Sequence, residues 1–291
     1  MSDLRRILIV GVPRSGTTLL QSLLAAHPEA TSFTESHAFS RHCRPLPLRS
    51  AVLLRDPRPR IATFLAENGV EDVEALMASF PRTPRLPSLR TSAFAVGFLR
   101  LLDALAARRG VTAWIEKTPM HLHFVPFLER IVAGLSDAAL QVVHVVRRGE
   151  DVVPSLRRAS RQWEVPYDLD ACAARWNADM ALSVRRARSS DDRFVFYEDL
   201  TEAPEDVLRP LCASLGLPWT PSLIEAYAEA AQGLVTPSET WKAGLGGGIR
   251  SAQEKGASSE LSSDEAARLP SLLRATRYET LRALVNDRGR G

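Results

Sequence analysis

Residues 7–28 read ILIVGVPRSGTTLLQSLLAAHP, and no other stretch narrows the possible folds as much. Four apolar, mostly β-branched residues run into a short loop, and the loop runs into leucines at helical spacing. A buried strand, a tight loop and a helix in that order belong to open α/β sheets, where such loops lie at the C-terminal edge of the strands. Gly16 lets the backbone turn closely, and consecutive N–H groups can then converge on an anion. A helix starting near Thr17 adds the positive end of its dipole. Ser15, Thr17 and Thr18 supply hydroxyl donors. Gly11 and Gly16 have the separation of a Walker loop, G-x-x-x-x-G-K-[ST], but Thr17 takes the lysine position and Arg14 stands before the glycine. No metal-binding aspartate is evident after a strand, so an ordinary ATP-dependent kinase would lack its main γ-phosphate cation.

The rest of the chain continues the alternation. Apolar runs at 6–11, 113–117, 140–146 and 193–197 predict strands, and helical patterns cover 17–27, 88–109, 121–133, 149–161, 168–188 and 264–285. This predicts an α/β fold: a P-loop-type three-layer sandwich with a central parallel sheet flanked by helices, as one domain over residues 1–291. Proline and arginine dominate much of 36–88. The segment 36–110 is expected to be a helical, Pro-rich insertion over the sheet edge, either an acceptor-binding lid or a solvated connector. Residues 232–263, rich in glycine and serine, predict a mobile loop.

Charge composition separates two kinds of cation. Of 37 basic residues only Lys117, Lys242 and Lys255 are lysines, so arginine is the default and a lysine within a motif points to its compact, rotatable ammonium. The net charge is +3, with no basic stripe interleaved with aromatics, so no nucleic-acid partner is expected. Cys43, Cys172 and Cys212 are too scattered for a disulfide framework or metal cluster. With no secretory leader or membrane-length apolar run, a cytoplasmic location is expected.

A second cluster lies downstream in VVHVVRRGEDVVPSLRR, residues 142–158. Arg147 closes a buried strand and Ser155 falls about two turns into the following helix, so both can converge on one phosphate. Together the two clusters resemble those of sulfotransferases that use 3′-phosphoadenosine 5′-phosphosulfate (PAPS). The arginine-bearing loop is similar to that of protein-tyrosine, carbohydrate and bacterial members. The resemblance implies that Arg14, Ser15, Gly16, Thr17 and Thr18 hold the 5′ end of PAPS, and that Arg147 and Ser155 hold its 3′-phosphate. Tyr197 in FVFYEDL would contact the nucleotide, and Lys242 would lie in a late loop that closes over it. Trp176, in a Trp-Asn pair also found in these relatives, reads as core architecture. One departure stands out: Ala159 replaces an arginine of the tyrosine enzymes, and Arg157 or Arg158 could substitute.

Transfer of a sulfonate needs an acceptor stripped of its proton and charge stabilisation at the leaving phosphate, and in principle no metal. Arg14 and Lys117 are the electrostatic candidates; the tyrosine enzymes carry a Lys-x-Pro resembling Lys117-Thr118-Pro119. Two glutamates compete as general base. Glu35 has the offset from Arg14 seen in the tyrosine enzymes and is the favoured one, while Glu116 resembles the Glu of a Glu-Lys-Thr-Pro segment in heparan sulfate sulfotransferases. Strand alternation sends Glu116 and Lys117 to opposite faces. His27 reads as a helix-end residue, and His37, His121 and His123, near the same edge, as packing or acceptor contacts. The expected partner is a small-molecule, glycan or peptide-tyrosine acceptor, with PAP as the product. A small-molecule kinase and a catalytically silent nucleotide-binding scaffold are the alternatives.

Overall fold

The computed structural model describes residues 4–80, 87–135, 139–163, 165–234, 249 and 261–288. Strand β1 (Arg5–Gly11) is the centre of a five-stranded sheet in the order β2-β5-β1-β6-β7, with β2 Ala30–Ser32, β5 Ala113–Lys117, β6 Leu140–Val146 and β7 Arg193–Phe196. Every pairing in this sheet is parallel. A parallel strand is reached only by a crossover, and helices supply these. In chain order they are α1 (Thr17–Ala25), α2 (Arg58–Glu67), α3 (Val73–Ser79), α4 (Pro87–Arg108), α5 (Val125–Ala133), α6 (Gly149–Ser160) and α7 (Leu169–Ser189). After β7 come α8 (Tyr197–Glu202), α9 (Pro204–Leu215), α10 (Ser222–Glu225), α11 (Tyr227–Gln232), α12 (Ser263–Leu272) and α13 (Thr276–Arg288).

Both faces of β1 are buried, as its unbroken apolar run requires. Ile7 and Ile9 pack with leucines of α1 and α9. Leu8 and Val10 face the other way, into a cluster with Phe94 and Phe98 of α4 and Phe127 of α5. A third cluster joins Val146 to α6, α7, α12 and α13 through Val153, Trp176, Leu269 and Tyr278. The loops after β1, β5, β6 and β7 therefore share one edge.

Several local expectations are corrected. The segment between β2 and β5 is more than helical: it holds an antiparallel hairpin, β3 (Cys43–Leu46) with β4 (Ser50–Leu53). It is also joined to the core, since Phe39, Phe64 and Phe98 share a cluster with Trp114 of β5. The helix expected from 121 begins instead as a 3₁₀ turn, Pro119–Phe124. The last helix is two, parted after Leu272. Asn177 of α7 supports the break: its Nδ2 donates to Leu272 O (2.8 Å) and its Oδ1 accepts from Arg274 N–H (2.7 Å). Those are backbone groups that a helix end leaves without partners.

Candidate functional site

At the end of β1 the chain bends at Gly11, where a side chain is excluded: a Cβ there would lie 2.3 Å from the carbonyl oxygen of Val145 in β6. Arg14 then takes a left-handed φ of 75° and Gly16 one of 95° before α1 begins. The Ser15 N–H donates back to Val12 O at 3.2 Å, closing the turn, and the loop then opens onto the N-terminus of α1, a position that suits an anion. The Ser15 hydroxyl is buried, with no hydrogen-bond partner among the described residues.

The second cluster is in contact with this loop. Arg14 Nε donates to Ser155 Oγ of α6 at 3.2 Å. The Arg147 guanidinium lies over the Tyr197 ring, 4.3 Å from its centroid. The same ring lies against Gly16, where a Cβ would come within 2.2 Å of Tyr197 Cδ2. Tyr197 thus touches both clusters. Its neighbour Glu198 fixes it in place, accepting from Arg148 N–H (3.0 Å) and from the Tyr278 hydroxyl of α13 (2.8 Å). Trp176 is buried in the core as expected, and its Nε1 donates to Arg147 O at 3.1 Å, holding the strand end. Arg147 Nε is buried without a hydrogen-bond acceptor, its ion-pair partner Asp151 standing 3.7 Å away. Burial raises the Asp151 carboxyl above its usual range, against the pull of Arg147. Ala159 is buried, and Arg157 pairs with Glu265 of α12 at 2.6 Å.

Beside the loop, Lys117 is fully buried at the end of β5. Its ammonium donates to Thr18 Oγ1 (3.2 Å) and to Glu35 Oε1 (2.5 Å). Glu35 Oε2 stands 3.5 Å from His37 Nε2. His37 has a left-handed φ of 50°. Burial pushes its pKa down to about 3, Glu35 opposing and Arg41, His121 and Arg60 adding to the effect. Glu116 has turned the other way. Its Oε1 accepts from Ser36 Oγ and Thr118 Oγ1, both at 2.7 Å, and its Oε2 meets His121 Nδ1 at 3.0 Å. Burial works to raise its pKa, but His121, Thr118 and Ser36 outweigh burial and hold it below the carboxylate range.

The structure therefore brings together Arg14, Ser15, Gly16, Thr18, Lys117, Glu35, Arg147, Ser155 and Tyr197, with Thr17 buried at the start of α1. Glu116 is apart, in a closed polar pocket. Lys242 lies outside the described residues. His27 bridges α1 to the later chain, accepting from Glu29 N–H at Nδ1 (3.0 Å) and reaching Pro218 O through Nε2 (2.7 Å). His123 joins Asp179 at 2.8 Å and Arg175. Among the described residues, no group of three or more His, Cys, Asp or Glu side chains could hold a metal ion, and no helix is long and apolar enough to cross a membrane. His37 lies beside Glu35 at the sheet edge, whereas Arg60, Glu67 and Asn68, which hold that loop, had no signal in the sequence because α2 meets the loop only through tertiary folding.

This architecture, with the loop after β1 meeting the end of β6 and α6, defines a three-layer α/β protein of the P-loop type. The chain belongs to the sulfotransferase family, whose sequence profile matches residues 6–221. It is 26% identical over 231 residues to protein-tyrosine sulfotransferase 1 of Danio rerio, covering 76% of this chain and 56% of that protein. It spans about half the length of the curated relatives it matches. Among solved structures it resembles the sulfotransferase domain of the Synechococcus olefin synthase, with a TM-score of 0.56 at 19% identity over 93% of this chain and 95% of that one. It also resembles mouse sulfotransferase SULT7A1 complexed with PAP, with a TM-score of 0.52 at 13% identity, covering 97% and 89%.

Proposed function

We propose that the protein transfers a sulfonate group from PAPS to a hydroxyl- or amine-bearing acceptor, with Glu35 as general base and no metal. The observation that carries this reading is the junction of the two clusters: Arg14 bonded to Ser155, and Tyr197 against both Gly16 and Arg147. Two buried polar atoms, Ser15 Oγ and Arg147 Nε, have no hydrogen-bond partner among the described residues and suit an anion with a phosphate at each end. Burying such groups without partners is costly, which favours a ligand. Residues 14–18 would hold the 5′ side of PAPS, and Arg147 and Ser155 its 3′-phosphate. When bound, PAPS supplies the activated sulfonate, with PAP as the leaving group.

The chain's own part is electrostatic and acid–base. Arg14 cannot deprotonate, so its charge is fixed beside the loop. Lys117 is placed between Thr18 of the loop helix and Glu35, and its ammonium can serve the leaving-group side and the base together. Glu35, held by Lys117 through Oε1, is the group that receives the acceptor proton. Glu116 is a poor rival, since three donors already occupy its carboxylate and its ionised form is preferentially stabilised.

The first test is thermal: at a concentration about 100 times its Kd, PAP stabilises the protein by about 2.7 kcal/mol, and ADP does so far less. Equal stabilisation by the two nucleotides would remove the donor assignment. Transfer is then measured with sulfur-labelled PAPS, first onto a tyrosine-containing peptide because of the protein-tyrosine sulfotransferase relatives, then onto glycans and small phenols. PAP binding with no transfer to any of them would favour a silent scaffold.

A further inference from the structure

The loop that carries Glu35, residues 33–37, is neither helix nor strand, so its shape must be imposed from outside. One side is held by β5 and the residue after it: Ser36 Oγ donates to Glu116, and His37 N–H to Thr118 Oγ1 at 3.3 Å. The other side is held by α2. Arg60 donates from Nη2 to Glu35 O at 2.6 Å and from Nε to Ser36 O at 2.9 Å. The same guanidinium pairs with both oxygens of Glu67, at 3.1 and 2.9 Å. Thr34 N–H donates to Asn68 Oδ1 (3.1 Å), Asn68 Nδ2 donates to Thr34 Oγ1 (3.0 Å), and that hydroxyl reaches Glu67 Oε2 at 3.4 Å. Glu67, at the end of α2, and Asn68, just after it, lie about two turns beyond Arg60, so all three can face the loop.

We infer that Arg60 is a positioning residue for Glu35, and that α2, in the segment between β2 and β5, sets the orientation of the base. The inference rests on the reading of Glu35 as that base. Packing already fastens the loop to α2 through Phe33 and Phe64, whose rings are 5.8 Å apart. The polar clamp adds something packing does not. A planar guanidinium that binds two consecutive carbonyls fixes the peptide joining them, and with it the direction in which Glu35 leaves the backbone. Glu67 balances the charge and holds the fork in one plane. Arg60 moves no proton; an acceptor that shifts α2 would be felt at Glu35 through it.

The test uses the full chain as wild type and as Arg60→Ala, Arg60→Lys, Glu67→Gln and Glu35→Gln. Three quantities are read: the thermal shift with PAP, hydrogen exchange of the peptide spanning 33–38, and kcat and KM in labelled-PAPS transfer. Arg60→Ala should keep the PAP shift, speed exchange in 34–37 and lower kcat about 10- to 100-fold with KM for PAPS unchanged. Arg60→Lys should recover only part of kcat, because an ammonium lacks the planar fork. If Arg60→Ala does not fold, Arg60→Lys and Glu67→Gln carry the same comparison. Unchanged kcat and unchanged exchange in the Arg60 and Glu67 variants would overturn the inference. Normal turnover in Glu35→Gln, with exchange still faster in Arg60→Ala, would instead remove the base assignment and leave the clamp on the loop standing.

Discussion

Glu116 and Lys117 are adjacent in β5, yet their side chains have opposite fates. One carboxylate is enclosed by Ser36, Thr118 and His121, while the next side chain reaches Thr18 and Glu35. Strand alternation made the divergence legible in the sequence. It did not reveal which face held the site, because Ser36 and His121 come from other segments and their convergence is tertiary. The two glutamates therefore have different expected phenotypes. Glu35→Gln should lower turnover about 100-fold or more while PAP binding is retained. Glu116→Gln should chiefly destabilise, by about 1–3 kcal/mol, since an amide cannot accept from all three donors. Chemical denaturation and single-turnover assays on the pair separate the effects; a stable but inactive Glu116→Gln would reverse the roles.

At the level of elements, the strands of the main sheet were largely readable, because continuous apolar runs mark strands buried on both faces. The β3–β4 hairpin was not. Its turn places Leu48 and Arg49 at φ values of 59° and 54°, where glycine or asparagine is the usual signal, and Pro45 lies within a strand. The division between α12 and α13 was equally hidden, since its support is Asn177, far away in sequence. Asn177→Ala should cost about 1–3 kcal/mol by leaving those backbone groups unpaired. Exchange rates rising selectively in α12 and α13 would be the accompanying signature, and no change in either quantity would show that the break needs no support.

Across the whole molecule, a buried charge network ties β6 to α7 and α5. His144 meets Asp192 at 2.8 Å and Ser183 at 3.1 Å; Arg186 pairs with Asp192 and with Glu129. Burial lowers the His144 pKa despite Asp192, so the ring is neutral when folded. Its unfolded value is about 6.5, and a depressed folded value means that its share of stability is present above that pH and lost below it. His37, lowered to about 3, acts in the same direction. Asp192 is depressed too: burial opposes the shift, but His144 and Arg186 overcome it, so its share is lost below about pH 4. The melting temperature should therefore fall as pH drops from 7 to 5, more shallowly in a His144→Asn variant. Parallel profiles would place the responsible proton elsewhere.

The ring of Tyr197 resting on Gly16 also has a bearing on how such a protein can change. Neither position can be altered alone: a methyl group at 16 would collide with the aromatic, and a smaller residue at 197 would open a gap beneath Arg147. Anyone reshaping this end of the sheet, in the laboratory or through descent, would have to replace the two as a couple.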